Sequence, residues 1–165
     1  MAKRILDKWL EEGYHSVSGT DNLMMQDLDY IEGIGPSYME RLNEAGVMTL
    51  MDLWLASPVI VANRSGLAVS LIQRWQEMAD LSRVEGVGQQ YAELLVSAGI
   101  DTVQQLASSE VESLLSSIEQ ALEEYPNMVG TRPGEESVEK WILNALTINM
   151  KGAPYTGPSP ASKEG

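Results

Sequence analysis

Apolar side chains recur along this chain at helical spacing, in short segments separated by polar or glycine-bearing breaks. Tyr38, Met39, Leu42 and Ala45 fall at i, i+1, i+4 and i+7, and Tyr91, Ala92, Leu95 and Ala98 repeat that spacing, which predicts helices over about 36–45 and 89–98. Between them, Pro58 to Leu81 reads as a short helix near 58–64 and a longer one near 68–79 with Leu71, Ile72, Trp75 and Ala79 on one side. Val111, Leu114, Leu115, Ile118, Leu122 and Tyr125 form a further stripe. The stretch from Pro126 to Gly134, with two prolines and two glycines, reads as a loop, and a last helix over about 135–148 carries Val138, Trp141, Ile142 and Ala145. Residues 3–12 place Ile5, Leu6, Trp9 and Leu10 on a helix, followed by a polar linker from Gly13 to Asp21. Lys151 to Gly165 is rich in Pro, Gly and Ser and reads as an extended tail.

The segments are organised by a repeat. Residues 30–53 return at 83–106 with a constant offset of 53, and ten of the 22 positions from Glu32/Glu85 to Leu53/Leu106 are identical. A Gly-x-Gly pair precedes each first helix, with Pro36 placed to open it in the first copy. Gly46 and Gly99 stand where a left-handed C-cap belongs, and Thr49 and Thr102 stand where an N-cap would start the next helix. Trp75 and Trp141 each follow a basic residue and stand four positions before an alanine. That similarity extends the duplication to the closing helices at an offset of 66, with thirteen residues inserted.

Ile31-Glu-Gly-Ile-Gly-Pro36 and Val84-Glu-Gly-Val-Gly88 resemble the hairpin of the helix-hairpin-helix motif. The longer pattern, Glu-Gly-x-Gly-x-x-Tyr through Ala-Gly-x-x-Thr to a Trp-x-x-x-Ala segment, occurs twice and is similar to a tandem helix-hairpin-helix family known as domain of unknown function 4332, over about residues 27–148. The resemblance implies an all-α protein, with repeats at about 27–81 and 82–149 packed as one compact helical domain over 23–149. An N-terminal helix and linker (1–22) and the tail (150–165) flank it. Helix-hairpin-helix modules bind nucleic acid without reading sequence, through backbone N–H groups and a helix N-terminus aimed at a phosphate. Carried over here, the phosphate contacts would be Gly33, Gly35, Ser37 and Arg41 in the first copy, and Arg83, Gly86, Gly88 and Gln89 in the second.

Charge weighs against that role. The chain has 11 Lys+Arg against 24 Asp+Glu, a formal charge of −13, and residues 30–110 hold four basic against ten acidic side chains. Non-specific affinity for nucleic acid comes from clustered Lys and Arg that release counterions, so the hairpins are expected first as compact helix connectors. Cysteine is absent and His15 is the only histidine, which excludes disulfides, thiolate metal sites, cysteine nucleophiles and multi-histidine metal centres. No phosphate loop, calcium loop or nucleophile elbow is present. The adjacent pairs Glu11-Glu12, Glu123-Glu124 and Glu135-Glu136 do not face one another on a helix. The start of the chain carries charges where a signal peptide needs an apolar run, and no stretch is long enough to span a membrane.

The expectation is a cytoplasmic, non-catalytic accessory or scaffolding subunit with no cofactor, no metal and no small-molecule substrate. It would dock on a protein partner or multi-subunit complex. Trp9, Met48, Met51, Trp54 and Tyr155 are the candidate contacts, chosen because the Met/Trp-rich 48–54 stretch is apolar on more than one side and the two ends look like attachment arms. Sequence-independent nucleic-acid binding is the alternative.

Overall fold

The computed structural model describes residues 26–150, and the regular elements among them are all helical. A 3₁₀ turn, Leu28–Tyr30, leads into α1 (Pro36–Glu44), α2 (Leu50–Leu55), α3 (Pro58–Ser65), α4 (Val69–Leu81), α5 (Gln89–Ser97), α6 (Val103–Ala107), α7 (Val111–Glu124) and α8 (Glu135–Met150). None is long and apolar enough to cross a membrane.

Local chemistry sets the boundaries. Pro36 and Pro58 open α1 and α3, where proline's fixed φ suits the first turn and its missing N–H costs nothing. Thr49 Oγ1 accepts the Asp52 N–H at 3.0 Å while Asp52 Oδ2 accepts the Thr49 N–H at 3.2 Å. This reciprocal capping box makes a six-residue α2 worth forming. Thr102 caps α6 from one side only, its Oγ1 accepting the Gln105 N–H at 3.1 Å, while the Gln105 side chain accepts from the Asp101 N–H. Past α1 and α5 the backbone reverses through Gly46 and Gly99, and the N–H groups of Val47 and Ile100 reach back to Leu42 O and Leu95 O at 2.9 and 2.8 Å.

The eight helices form two units of four. The first three helices of the second unit begin 53 residues after their counterparts, and α8 begins 66 after α4. α7 is six residues longer than α3, and the loop after it seven residues longer, which accounts for all thirteen inserted residues. In both units the second and third helices pack on the fourth and the first packs on the third.

The two tryptophans of the closing helices sit in matching surroundings. Trp75 and Trp141 are buried, and each lies 5.1 Å, centroid to centroid, from the tyrosine of its own unit, Tyr38 or Tyr91. Each indole also rests on the turn before the first helix. A Cβ at Gly33 would lie 3.8 Å from Trp75 Nε1, and one at Gly86 would lie 3.4 Å from Trp141 Cδ1. Both glycines have positive φ, +96° and +92°, the backbone conformation that favours glycine, and a Cβ at either would reach only ordinary contact with the indole. In the second unit the contact is also polar, with Trp141 Nε1–H donating to Gly86 O at 3.2 Å and Asn144 Nδ2 donating to Glu85 O at 2.9 Å.

One apolar core runs through both units, from Leu28 and Leu42 through Leu53, Ile72 and Leu81 to Leu95, Ile118 and Ala145. Tyr125 departs from its expected place on the α7 stripe. The helix ends at Glu124, the chain turns away, and the ring is exposed.

Candidate functional site at the outer face of the closing helix

The contact between the units shows what the fourth helix of a unit can hold. Asp80, near the end of α4, is completely buried. Its Oδ1 accepts from Trp54 Nε1 at 2.9 Å and from the Arg83 guanidinium at 3.0 Å. Its Oδ2 accepts the N–H of Val103, the first residue of α6, at 2.9 Å. A carboxylate is tolerated in a core only when it is paired and hydrogen-bonded in this way. Arg83 lies 4.8 Å above the Trp54 ring, adding a cation–π contact. One helical face further back, the Arg74 guanidinium donates to Ser97 Oγ of α5 at 3.2 Å. Asp80 is thus buried where the second unit meets the first, and Glu77, one turn before it on α4, is buried as well.

The same positions of α8, 66 residues on, are Lys140, Leu143 and Leu146. No further unit follows among the described residues, and the two leucines stand 54% and 37% exposed. They are three apart on one helix, hence neighbours on its surface. The exposed polar side chains of Glu139, Lys140 and Thr147 surround them. A lone exposed leucine means little, but here two neighbours stand where the matching residues of α4 are buried, one of them, Asp80, in contact with the other unit.

The residues expected from sequence fall differently. Gly33, Gly35, Ser37 and Arg41 are exposed around the start of α1. In the second copy Gly86 is exposed and Gly88 and Gln89 are half-buried. There the inserted loop lies against α5, with Gly130 N–H donating to Gln90 Oε1 at 3.2 Å and Tyr91 OH donating to Thr131 O at 3.0 Å. Arg83, expected beside the second hairpin as a phosphate contact, is buried on Asp80 with its side chain 2% exposed. It does not share an accessible face with Arg41. Met51 and Trp54 are buried as well, because α2 packs on α4 and the Trp54 indole finds its acceptor there. Of the apolar 48–54 stretch only Met48 is offered to solvent as an apolar contact, 59% exposed. Trp9 and Tyr155 lie outside the described residues.

The sequence profile of a domain of unknown function, DUF4332, matches residues 32–148, from the first Gly-x-Gly turn to the last turns of α8. The chain belongs to the DUF4332 family. No curated protein and no solved structure matches it.

The DUF4332 region holds both units, the buried Asp80 junction and the exposed face of α8. It also holds an open cleft of about 890 Å³ at the seam, lined by Arg74 of the first unit, Glu93, Val96 and Ser97 of α5, and Glu124 to Met128. The inserted loop supplies one wall, so the first unit has no counterpart. Partial burial pushes the Glu93 carboxyl above the usual range, Arg74 opposes this, and Glu32 adds to it. The Tyr125 hydroxyl is raised by its hydrogen bond to Glu124 and by that residue's charge. Among the described residues no group of three or more His, Asp or Glu is placed to hold a metal ion.

Leu143 and Leu146 were not among the residues expected from sequence to make contacts. The signal that could have found them is the 66-residue offset itself, which sets two leucines where the first unit has Glu77 and Asp80.

Proposed function

We propose that this DUF4332 protein is a non-catalytic accessory or scaffolding subunit that docks on another protein surface through the outer face of α8. The observation that carries the reading is the exposure of Leu143 and Leu146 on α8, where the matching residues of α4, Glu77 and Asp80, are buried and Asp80 bonds to the following unit. Two adjacent exposed leucines rimmed by polar side chains form the kind of apolar patch that marks a contact surface. The non-catalytic part rests on the sequence, which supplies no cysteine and a single histidine in a polar linker.

The test is affinity purification of the full chain from its own cells at low salt, with and without nuclease, alongside the variant L143E/L146E. Both side chains are exposed, so the variant should keep the helical circular dichroism of the parent. The reading expects a defined protein set that survives nuclease and is lost from the variant. Retention of the same set by the variant would overturn it. Nucleic-acid binding through the first hairpin would instead appear as nuclease-sensitive recovery that falls on Arg41→Ala.

A further inference from the structure

The second unit keeps an acid where burial penalises it. Glu93 corresponds to Glu40, 53 positions earlier, and Glu40 is exposed on α1. Glu93 is half-buried in the wall of the cleft of about 890 Å³ at the seam, opposite the end of α7 and the inserted loop. Burial holds its carboxyl above the ordinary range, Arg74 attracts it without closing an ion pair, and Glu32 repels it. A half-buried carboxylate that lacks a close partner costs stability, and departures of that kind concentrate at functional sites. A cation in the cleft would relieve it. Among the described residues no three of His, Asp or Glu converge as a metal ion needs, so the positive charge has to come on an organic group.

The rest of the lining describes that group. Tyr125 presents an exposed ring to the cleft, and its hydroxyl is hydrogen-bonded to Glu124, a second carboxylate of the same wall. The charge of Arg74 acts on both Glu93 and the Tyr125 hydroxyl, which puts the two within range of a single guanidinium. Val96, Pro126 and Met128 add apolar surface for an alkyl stem. Arg74 commits one N–H to Ser97 Oγ at 3.2 Å, and its other donors and the Asn127 amide suit the carbonyls of a peptide backbone. The wall is braced in advance of any ligand, with the Tyr125 N–H on Ala121 O at 2.9 Å and the Met128 N–H on Tyr125 O at 3.1 Å. We propose that the cleft binds a basic segment of a partner protein, with an arginine side chain paired to Glu93 and packed against the Tyr125 ring. Arginine suits both tasks, because its planar guanidinium forks to a carboxylate and stacks on an aromatic face. The formal charge of −13 draws such a segment in. No residue of α8 lines the cleft, so this site is additional to the docking face.

The test is a nuclear magnetic resonance titration of the isotope-labelled full chain at about 0.15 M salt, where general attraction to an acidic surface is screened. The probe is a short capped peptide with one central arginine among alanines and serines, and its twin carries citrulline, which keeps the shape and loses the charge. The arginine peptide should shift the amide signals of Glu93, Ser97, Tyr125 and Met128 saturably, and the twin should bind roughly tenfold or more weakly. E93Q should lower affinity roughly ten- to a hundredfold and Y125A about two- to fivefold. E112Q, the same change of charge on the exposed side of α7, should stay within about twofold of wild type. Removing the penalised acid makes E93Q the more stable protein at neutral pH, so its lost binding is not unfolding. L143E/L146E should bind the peptide as wild type does, which separates this site from the docking face. Affinity unchanged by E93Q, equal binding of the citrulline twin, or no saturable shift at the cleft with millimolar peptide would overturn the proposal. Spermidine shifting the same signals more tightly than the arginine peptide would also overturn it and assign the cleft to a free polyamine.

Discussion

Replacing Asp80 with alanine removes one acceptor from three donors at once, the Trp54 indole, the Arg83 guanidinium and the Val103 N–H. Breaking a buried ion pair by deleting one partner costs about 3–5 kcal/mol, and each buried neutral donor left without its acceptor costs roughly 1–3 kcal/mol. These terms overlap because the site relaxes as a whole, so the expected loss is about 4–5 kcal/mol, near the upper end of the ion-pair range. Against a typical domain stability of about 5–15 kcal/mol, that is a third or more of the total. With a urea slope near 2 kcal/mol/M, the midpoint should fall by about 2 M. The assay is urea unfolding followed by circular dichroism and by tryptophan emission, since Trp54 reports on the junction directly. The double variant D80A/R83M should recover about 1–3 kcal/mol, because it replaces a broken buried pair with apolar contact to the Trp54 ring. A D80A midpoint within about 0.5 M of wild type, or a double variant no more stable than D80A, would refute the assignment of Asp80 as the pin between the units.

Gly33→Ala and Gly86→Ala should each destabilise by about 1–3 kcal/mol through forced positive φ, and to a similar extent, since a Cβ at either meets its indole only at ordinary contact distance; paired thermal melts would check both. Glu93 binds its proton more tightly folded than unfolded, so its contribution to stability is present below the ordinary carboxylate range and is lost as pH rises through its raised value. Glu93→Gln should therefore raise stability at neutral pH relative to wild type and lose that advantage in acid, checked by melts across pH. Gln76 Nε2 donates to Leu53 O and Ala56 O at 3.0 and 2.7 Å and so closes the end of α2, while its Oε1 is buried without a partner. Gln76→Ile, the residue found at the matching position of α8, should cost about 1–3 kcal/mol for the carbonyls left unpaired, read from urea midpoints.

Much of the fold was legible because the signals were local. Apolar spacing placed α1, α4, α5 and α8, Thr49 and Thr102 announced two N-caps, and the 53-residue offset carried one unit onto the next. The shared sequence context of Trp75 and Trp141 pointed to the matching places the two indoles take beside Tyr38 and Tyr91. The polar junction was not legible. Asp80 and Arg83 look like ordinary surface charges in sequence, and only the packing of α2 and α6 around them makes a core carboxylate tolerable. Met51 and Trp54 misled for the same reason, because a helix apolar on several sides can be either a sticky surface or one surrounded by neighbours, as α2 is. Tyr125 continued the helical period of α7 in sequence, but the helix stops one residue before it. The face of α8 was readable only by comparing units, where Leu143 and Leu146 replace two buried acids.

The account stands or falls on whether that face is covered where the protein works. Its most direct measurement is carbene footprinting of α8 in native extract and again on the purified chain at high dilution, read by mass spectrometry at Leu143 and Leu146. Labelling of both leucines should be strongly suppressed in extract and recover on dilution, while Glu112 and Glu119 on the exposed side of α7 label equally in both. Equal labelling of the leucines in the two samples would contradict the claim that the outer face of α8 is a docking surface.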